Sequence, residues 1–453
     1  MFSIPHPPLA EAYQLGIMAE ENSAKIIPSS NIEPTIHPYF PTDKTSYIDH
    51  SIDNIAPCII YPESSDINGG GPVEFIIHEC AEHYLDLSSL RLEVKLRLLD
   101  EDGARGDGIA ANEVCFVNNL LSSLFPVVKV FINNSVVECQ YYAHHISRLN
   151  HLMDIPNQLA TNRGLGVGLF PIESRHIARV HTGGIAARIA TRTAFTKKGV
   201  IHLKGYLNTD IASSNKWLVD GTSLRVVLEP ARANCLLNAI NNDVGWQVDI
   251  SSIKLHADRI RPSKGFFLST TRWLQNRSME YIHKRHIVHT EVMSAGQSSL
   301  TISRPFQNRI PYKFHLFMID QAAEQGVFTQ DRYFYNHNNL SNYRIMINGQ
   351  LLTEANVLAA DGYHTTYFDS LTAHGAEDYF IPTDMYTKGG FVLTVKTNTS
   401  QPNELFYESK GNMDIHLRFA NNIANTQIVF IIGVIHTSYE ITPDRNCITN
   451  FAY

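Results

Sequence analysis

The chain has 453 residues, 44% of them apolar and 10% aromatic, with a formal net charge of −7. That apolar share suits packed cores in two or three domains, and the acidic balance argues against a broad phosphate-binding face, which needs Lys and Arg gathered on one surface. The six cysteines are scattered without a Cys-x-x-Cys pair, which argues against a zinc knuckle, and the longest uncharged aliphatic run, 428–435, is too short to cross a bilayer.

Residues 1–72 are rich in Pro, Ser, Asn and Asp and lack periodicity, so they predict an extended N-terminal arm that ends at Gly69-Gly70-Gly71. They contain no basic patch leading into an apolar core, and so no signal peptide is expected. Strand patterns then run over 73–260 as a first domain. Residues 92–100 alternate apolar and polar and end in Asp100. Residues 129–138 read as strand, two-residue turn, strand, because Asn133-Asn134 tolerates the positive φ that such turns need. Tyr142, Ile146, Leu149 and Met153 share one helical face. Strands follow Gly199 and Gly221, and a long run closes the domain over 246–255.

Arg261-Pro262-Ser263-Lys264-Gly265 predicts a linker at 261–265, punctuated by Pro and Gly. Over 266–442 the same order returns. Residues 311–320 repeat the first strand and end in Asp320. Residues 344–353 repeat the hairpin around Asn348-Gly349. Tyr363, Tyr367 and Leu371 repeat the helical face, with Gly375 placed to end it. Strands follow Gly389 and Gly411, and 428–435 is the closing run. Order is kept while the spacing between copies drifts, as loop-length differences between two copies of one fold would produce. Residues 443–453 form a C-terminal tail with an aromatic end that could dock on a neighbour. Many short strands with frequent turn signals indicate sandwiches or barrels.

The 21 histidines call for a search for chemistry. A bicupin metal site needs His-x-His on one strand face, and the chain has no such triplet. His144 and His145 are adjacent and are expected to diverge, whether on helix or strand. His283, His286 and His289 lie in a strand-like context, where three-residue spacing alternates faces. His78-Glu79-Cys80-Ala81-Glu82-His83 has one residue too many for the zincin motif and reads as a strand running into a turn. Gly164-Leu165-Gly166-Val167-Gly168 lacks phosphate-loop spacing, and no Gly-x-Ser-x-Gly elbow occurs. No catalytic, cofactor-binding or metal-ligating residue is assigned, and the chain is not expected to be an enzyme.

The segment 114–134, Val-Cys-Phe-Val-Asn-Asn-Leu-Leu-Ser-Ser-Leu-Phe-Pro-Val-Val-Lys-Val-Phe-Ile-Asn-Asn, followed by the Tyr-rich helical stretch from Tyr141-Tyr142 to Met153, resembles capsid proteins of Polinton/Maverick elements and adintoviruses. The resemblance is strongest over 85–153; elsewhere length, order and β-content match. It implies an all-β double jelly-roll major capsid protein: two tandem eight-stranded jelly-roll β-sandwiches with short helices in the loops. It further implies a pseudo-hexameric homotrimer tiling an icosahedral shell around a double-stranded DNA genome. The expected place is the virion, after synthesis in the host cytoplasm. Expected partners are the chain itself, penton proteins and minor capsid proteins, with no specific nucleic-acid site. Ile67-Asn68-Gly69-Gly70 is similar to sites cut by adenovirus-type maturation proteases. The aromatic loop Arg332-Tyr333-Phe334-Tyr335-Asn336 suits subunit contacts or a satellite core. The doubled domain is supported by the repeat independently of the resemblance. Two other readings stay open: a two-domain jelly-roll carbohydrate-binding protein or lyase, and a bicupin-type metal enzyme.

Overall fold

The computed structural model describes residues 51–63, 68, 70–100, 103, 114–153, 166–169, 199–239, 245–357, 363–374, 386–397 and 409–449. In chain order the first half holds β1 (Ile52–Ile60), β2 (Val73–Ile77), β3 (Tyr84–Leu99), β4 (Val114–Phe116), α1 (Leu120–Ser123), β5 (Val127–Ile132), β6 (Ser135–Tyr141), α2 (Ala143–Met153), β7 (Val200–Tyr206), β8 (Trp217–Leu218), β9 (Leu224–Glu229), β10 (Leu237–Ala239) and β11 (Gln247–Pro262). A helix, α3 (Lys264–Leu274), leads into the second half. There follow β12 (Met279–Met293), β13 (Ser299–Ser303), β14 (Arg309–Ile310), β15 (Lys313–Asp320), α4 (Gln321–Glu324), β16 (Leu340–Ile347), β17 (Gln350–Asn356), α5 (His364–His374), β18 (Leu393–Lys396), β19 (Ser409–Lys410), β20 (Met413–Phe419), β21 (Gln427–Ile441) and β22 (Cys447–Thr449).

Each half is a sandwich of two antiparallel sheets with jelly-roll order. In the first, β1-β11-β3-β7 faces β2-β9-β5-β6; in the second, β12-β21-β15-β18 faces β13-β20-β16-β17. Strand for strand the two orders are the same, so the fold is two tandem eight-stranded jelly rolls.

The duplication holds at the level of single residues. Asn133 and Asn134 take φ of 45° and 67°, and Asn348 and Gly349 take 51° and 77°, the paired positive values of a tight hairpin turn. Both hairpins carry a register shift at the same place, between Val130 and Phe131 and between Ile345 and Met346. Asn133 N–H donates to the Ser223 carbonyl, and its Oδ1 accepts from Ser223 N–H at 2.7 Å. Asn348 makes the same reciprocal pair with Asn412, with Oδ1 accepting at 2.9 Å. Each partner sits just before the equivalent strand, β9 or β20. The helix after each hairpin begins behind a tyrosine in the left-handed region, Tyr142 at 56° and Tyr363 at 59°. That conformation is rare for a bulky residue, so its recurrence marks common descent of the two turns.

Burial explains the two kinds of strand. In β3, Leu92, Val94, Leu96 and Leu98 are at most 3% exposed, while Glu93, Lys95 and Arg97 point outward. In β15, Phe314 to Ile319 are all buried, because both faces of that sheet are covered. A one-sided strand alternates and a two-sided strand does not.

Three expectations need correction. Residues 52–60, expected in the arm, are the edge strand β1, paired with β11 from Leu255 to Pro262. Their pattern escaped because one face is bare and Pro57 interrupts it, which only an edge strand tolerates. The expected linker at 261–265 is instead the end of β11 and the start of α3. The tail is not free up to residue 449: β22 pairs with β21, and the segment reaches across to the first roll, where Asn133 Nδ2 donates to the Arg445 carbonyl and Ser135 Oγ to that of Cys447. Residues 1–50 and 450–453 lie outside the described residues.

Asn133→Ala removes the acceptor for Ser223 N–H and the donor to Arg445, at a left-handed position. A loss of about 2 to 3 kcal/mol is expected in denaturant unfolding, with a smaller loss for Asn348→Ala, whose side-chain bond is exposed.

Candidate assembly surface

The seam between the rolls is built on α2. Residues Ala143 to Leu149 are all buried. Ile146, Leu149 and Met153 face their own core, as their spacing predicts. The opposite side enters the outer face of the second roll's β12-β21-β15-β18 sheet. The His145 ring lies 4.8 Å from that of Phe430 and 5.6 Å from Phe317. Phe317 and Phe430 stack at 5.2 Å, and Tyr142 meets Phe430 edge-on at 5.1 Å.

His144 and His145 do not diverge, contrary to expectation. Both rings stand in the first turn of α2 with centroids 4.2 Å apart, and both reach Glu324 at the end of α4. His145 Nε2 donates to Oε2 at 3.0 Å, and His144 Nε2 lies 3.6 Å from Oε1. Arg332 Nη2 donates to Oε1 at 3.1 Å, and Arg332 Nη1 to the Cys235 carbonyl at 3.2 Å. Burial, helped by the neighbouring His145 and Arg332, pushes His144 down to about 3; burial lowers His145 as well. Burial alone would raise the Glu324 carboxyl, but His145, His144 and Arg332 together hold it well below 4.5. The ion pair is therefore Glu324 with Arg332, flanked by two neutral imidazoles. Among the described residues His144, His145 and Glu324 are the group whose ligand atoms could converge on a cation, lying within 4.8 Å of one another. Arg332 already supplies the compensating charge, so a divalent ion would leave excess positive charge in a closed seam.

A second buried cluster lies on the other side of the seam. Glu138 in β6 accepts from the N–H groups of Asp210 and Ile211 at 2.7 and 3.0 Å. Asp210 accepts from His286 Nδ1 at 2.5 Å and from its backbone N–H at 2.7 Å. Burial and the charge on Asp210 push Glu138 up to about 8. Asp210 is held low: burial opposes this, and the charge and hydrogen bonds of His286 prevail. Lys216 Nζ donates to the Ile282 carbonyl at 2.5 Å, and Tyr281 O–H to that of Trp217 at 3.0 Å. Arg445 pairs with Asp220 at 3.0 Å.

The remaining sequence candidates do not converge. His283, His286 and His289 are on β12; the first two lie near Asp210, and His289 Nε2 lies 3.5 Å from Glu291 Oε2. Residues 78–83 form the turn between β2 and β3, with Cys80 Sγ 3.6 Å from His83 Nδ1. Gly164 and Leu165 lie outside the described residues, as do Ile67 and Gly69 of the suspected cleavage site. Asn68 beside that site is tied to Asp249 and Ile250. The aromatic loop is not an outer contact: Arg332, Tyr333 and Tyr335 are 5%, 6% and 1% exposed inside the seam, and Tyr333 O–H meets Ser123 Oγ at 2.5 Å. Glu324, Glu138 and Asp210 carried no sequence signal, because His145 lies 179 positions from Glu324, and Glu138 and His286 lie 72 and 76 from Asp210; Arg332, eight positions from Glu324, reads in sequence as an ordinary loop charge.

The second roll repeats the surface that makes this seam, and there it is bare. In α5, Thr366 and Ser370 are buried while His364, Thr365, Phe368, Asp369 and Thr372 are exposed, Phe368 at 66%. In β17, Leu351 and Leu352 are 50% and 38% exposed, whereas the equivalent Val137 of β6 is buried. In turn, among the described residues the first roll's β1-β11-β3-β7 sheet lacks the cover its counterpart has. Its outer face presents Ile55, Ile59 and Tyr61 beside ion pairs: Glu93 with His202 and His256, Arg91 with Asp258, Arg97 with Asp249.

The buried imidazole sets a pH dependence. In the unfolded chain His144 takes a proton below 6.5, which the folded seam refuses until about 3. Stability therefore falls as pH drops below 6.5, by about 1.4 kcal/mol per pH unit for this proton. Denaturant unfolding of His144→Gln between about pH 6 and pH 5 should show a slope shallower by that amount; an unchanged slope would place the proton elsewhere.

No protein-family model matches the chain, and no curated protein matches it. Solved structures do. A chain of the Sputnik virophage shares 13% identity over 92% of both chains, with a TM-score of 0.61. A chain of the PBCV-1 virus capsid shares 10% over 90% of this chain and 99% of that one, at 0.59. The mavirus major capsid protein shares 10% over 100% and 96%, at 0.54. At such identities the likeness carries the double jelly-roll fold.

Proposed function

We propose that this chain is a viral major capsid protein, a structural unit without catalytic activity that self-assembles as a pseudo-hexameric homotrimer. The observation that carries the reading is the bare duplicate of a used surface. Within one chain, the α2–β6 side of the first roll covers the outer sheet of the second. The α5–β17 side of the second roll is the same surface left open, and the first roll's outer sheet is the matching uncovered face. A head-to-tail contact of this kind forms a ring where its rotation closes. Three chains, six rolls, complete the pseudo-hexagon implied by the resemblance of residues 85–153.

The fold neighbours support the same reading, since one is named as a major capsid protein and another belongs to a virus capsid. Tiling of an icosahedral shell around double-stranded DNA, contacts with penton and minor capsid proteins, and a place in the virion follow from the resemblance. No helix among the described residues is long and apolar enough to cross a membrane.

Light scattering on the purified chain at micromolar concentration should give three times the chain mass. Phe368→Asp combined with Leu351→Asp should give one chain mass that still melts in one cooperative transition, because both side chains are exposed within the chain. A monomeric unmodified chain would count against the proposal.

A further inference from the structure

The connector between the rolls is an acid-free cationic stretch in an acidic protein. Residues 259–279 hold Arg259, Arg261, Lys264, Arg272 and Arg277 and no acidic residue. Helix α3 is anchored by its apolar side: Phe266 and Phe267 lie 6.4 and 6.3 Å from the Tyr84 ring, in a cluster with Trp217 and Ile260. The opposite stripe, Lys264, Leu268 and Arg272, is exposed, as are Arg261 and Arg277 beyond its ends. Arg261, Lys264, Arg272 and Arg277 have no ion pair among the described residues, whereas Arg259 donates to the His78 carbonyl. Ser263 makes no side-chain cap, so the first-turn N–H groups add partial positive charge.

The first 50 residues carry the opposite balance. Glu11, Glu20, Glu21, Glu33, Asp43 and Asp49 stand against Lys25 and Lys44. That segment joins the fold at the connector itself: Ser263 N–H donates to the Ser51 carbonyl at 2.8 Å, and Ile52 pairs with Pro262. Asp43, eight residues before Ser51, can stand at most about 27 Å from it, and the stretch from Lys264 to Arg277 is only about 20 Å long as helix. The tether keeps the acids within reach of the patch at a high effective concentration.

We infer that the acidic N-terminal segment docks on the cationic outer stripe of α3 in its own chain. The stripe is then closed to nucleic acid. Binding is electrostatic, so it weakens with salt.

The test uses the full chain. A carbodiimide that joins carboxylates to amines should couple acids of residues 1–50 to Lys264, and high salt should abolish the product. A mixture of isotopically heavy and light chains should give products within one isotope class. Products joining the two classes would overturn docking within the chain, and no product at Lys264, while other lysines react, would overturn docking altogether. A second readout is a short single-stranded DNA. A variant with the six acids changed to their amides should bind it about tenfold more tightly than the unmodified chain. Adding Arg272→Glu and Arg277→Glu should cancel the gain. An unmodified chain that binds the DNA as tightly as the amide variant would show the stripe open and refute the inference.

Discussion

The structure depends on the burial of α2 against Phe317 and Phe430. A jelly roll needs only its inner faces covered, and the first roll stops there, with an ion-paired outer sheet. The second roll has an apolar outer sheet that must be covered as well. Helix α2 supplies the cover, and so the two rolls become one body. The polar groups drawn in with the helix are then obliged to pair. His144, His145, Glu324 and Arg332 form one cluster, and Glu138, Asp210 and His286 form another. Such clusters contribute little net stability, but removing one member leaves a buried charge without its partner.

Duplication makes this arrangement more than an internal matter. The surface around α2 exists twice, at α2 and at α5. One copy is spent within the chain, and the other faces outward with Phe368, Leu351 and Leu352. The faces that receive them differ in kind. The receiving face inside the chain is apolar, while the first roll's free outer sheet is charged, with Ile55, Ile59 and Tyr61 along its edge strand. In the proposed ring, the contact between chains would thereby be more polar than the contact within one. Such a difference suits a subunit that folds alone before assembling, since a fully apolar free face would aggregate.

Much of this was legible in the sequence, for stated reasons. The hairpins at Asn133-Asn134 and Asn348-Gly349 were visible because positive φ restricts residue choice. They are equivalent turns, with the same register shift and the same bond to the following strand. The alternation in 92–100 was legible, but 311–320 was expected to repeat it, and the burial of Phe314 to Ile319 on both faces follows from tertiary packing. The edge strand β1 was missed because it is half bare and contains Pro57. Helix α3 was hidden by Pro and Gly at its start. The convergence of His144 and His145 on Glu324 could not be read, since adjacency in sequence says nothing about a carboxylate on another roll. The aromatic loop at 332–336 drew notice for its composition, but whether it faced a neighbouring subunit or the chain's own seam depends on tertiary placement.

If one used surface and its bare duplicate close the chain into a ring of six rolls, electron-microscopic class averages of the purified particle should show three lobes with a pseudo-hexagonal outline, in which neighbouring rolls meet alternately within and between chains. Open-ended filaments, or two-fold dimers in which identical faces meet, would rule the ring out.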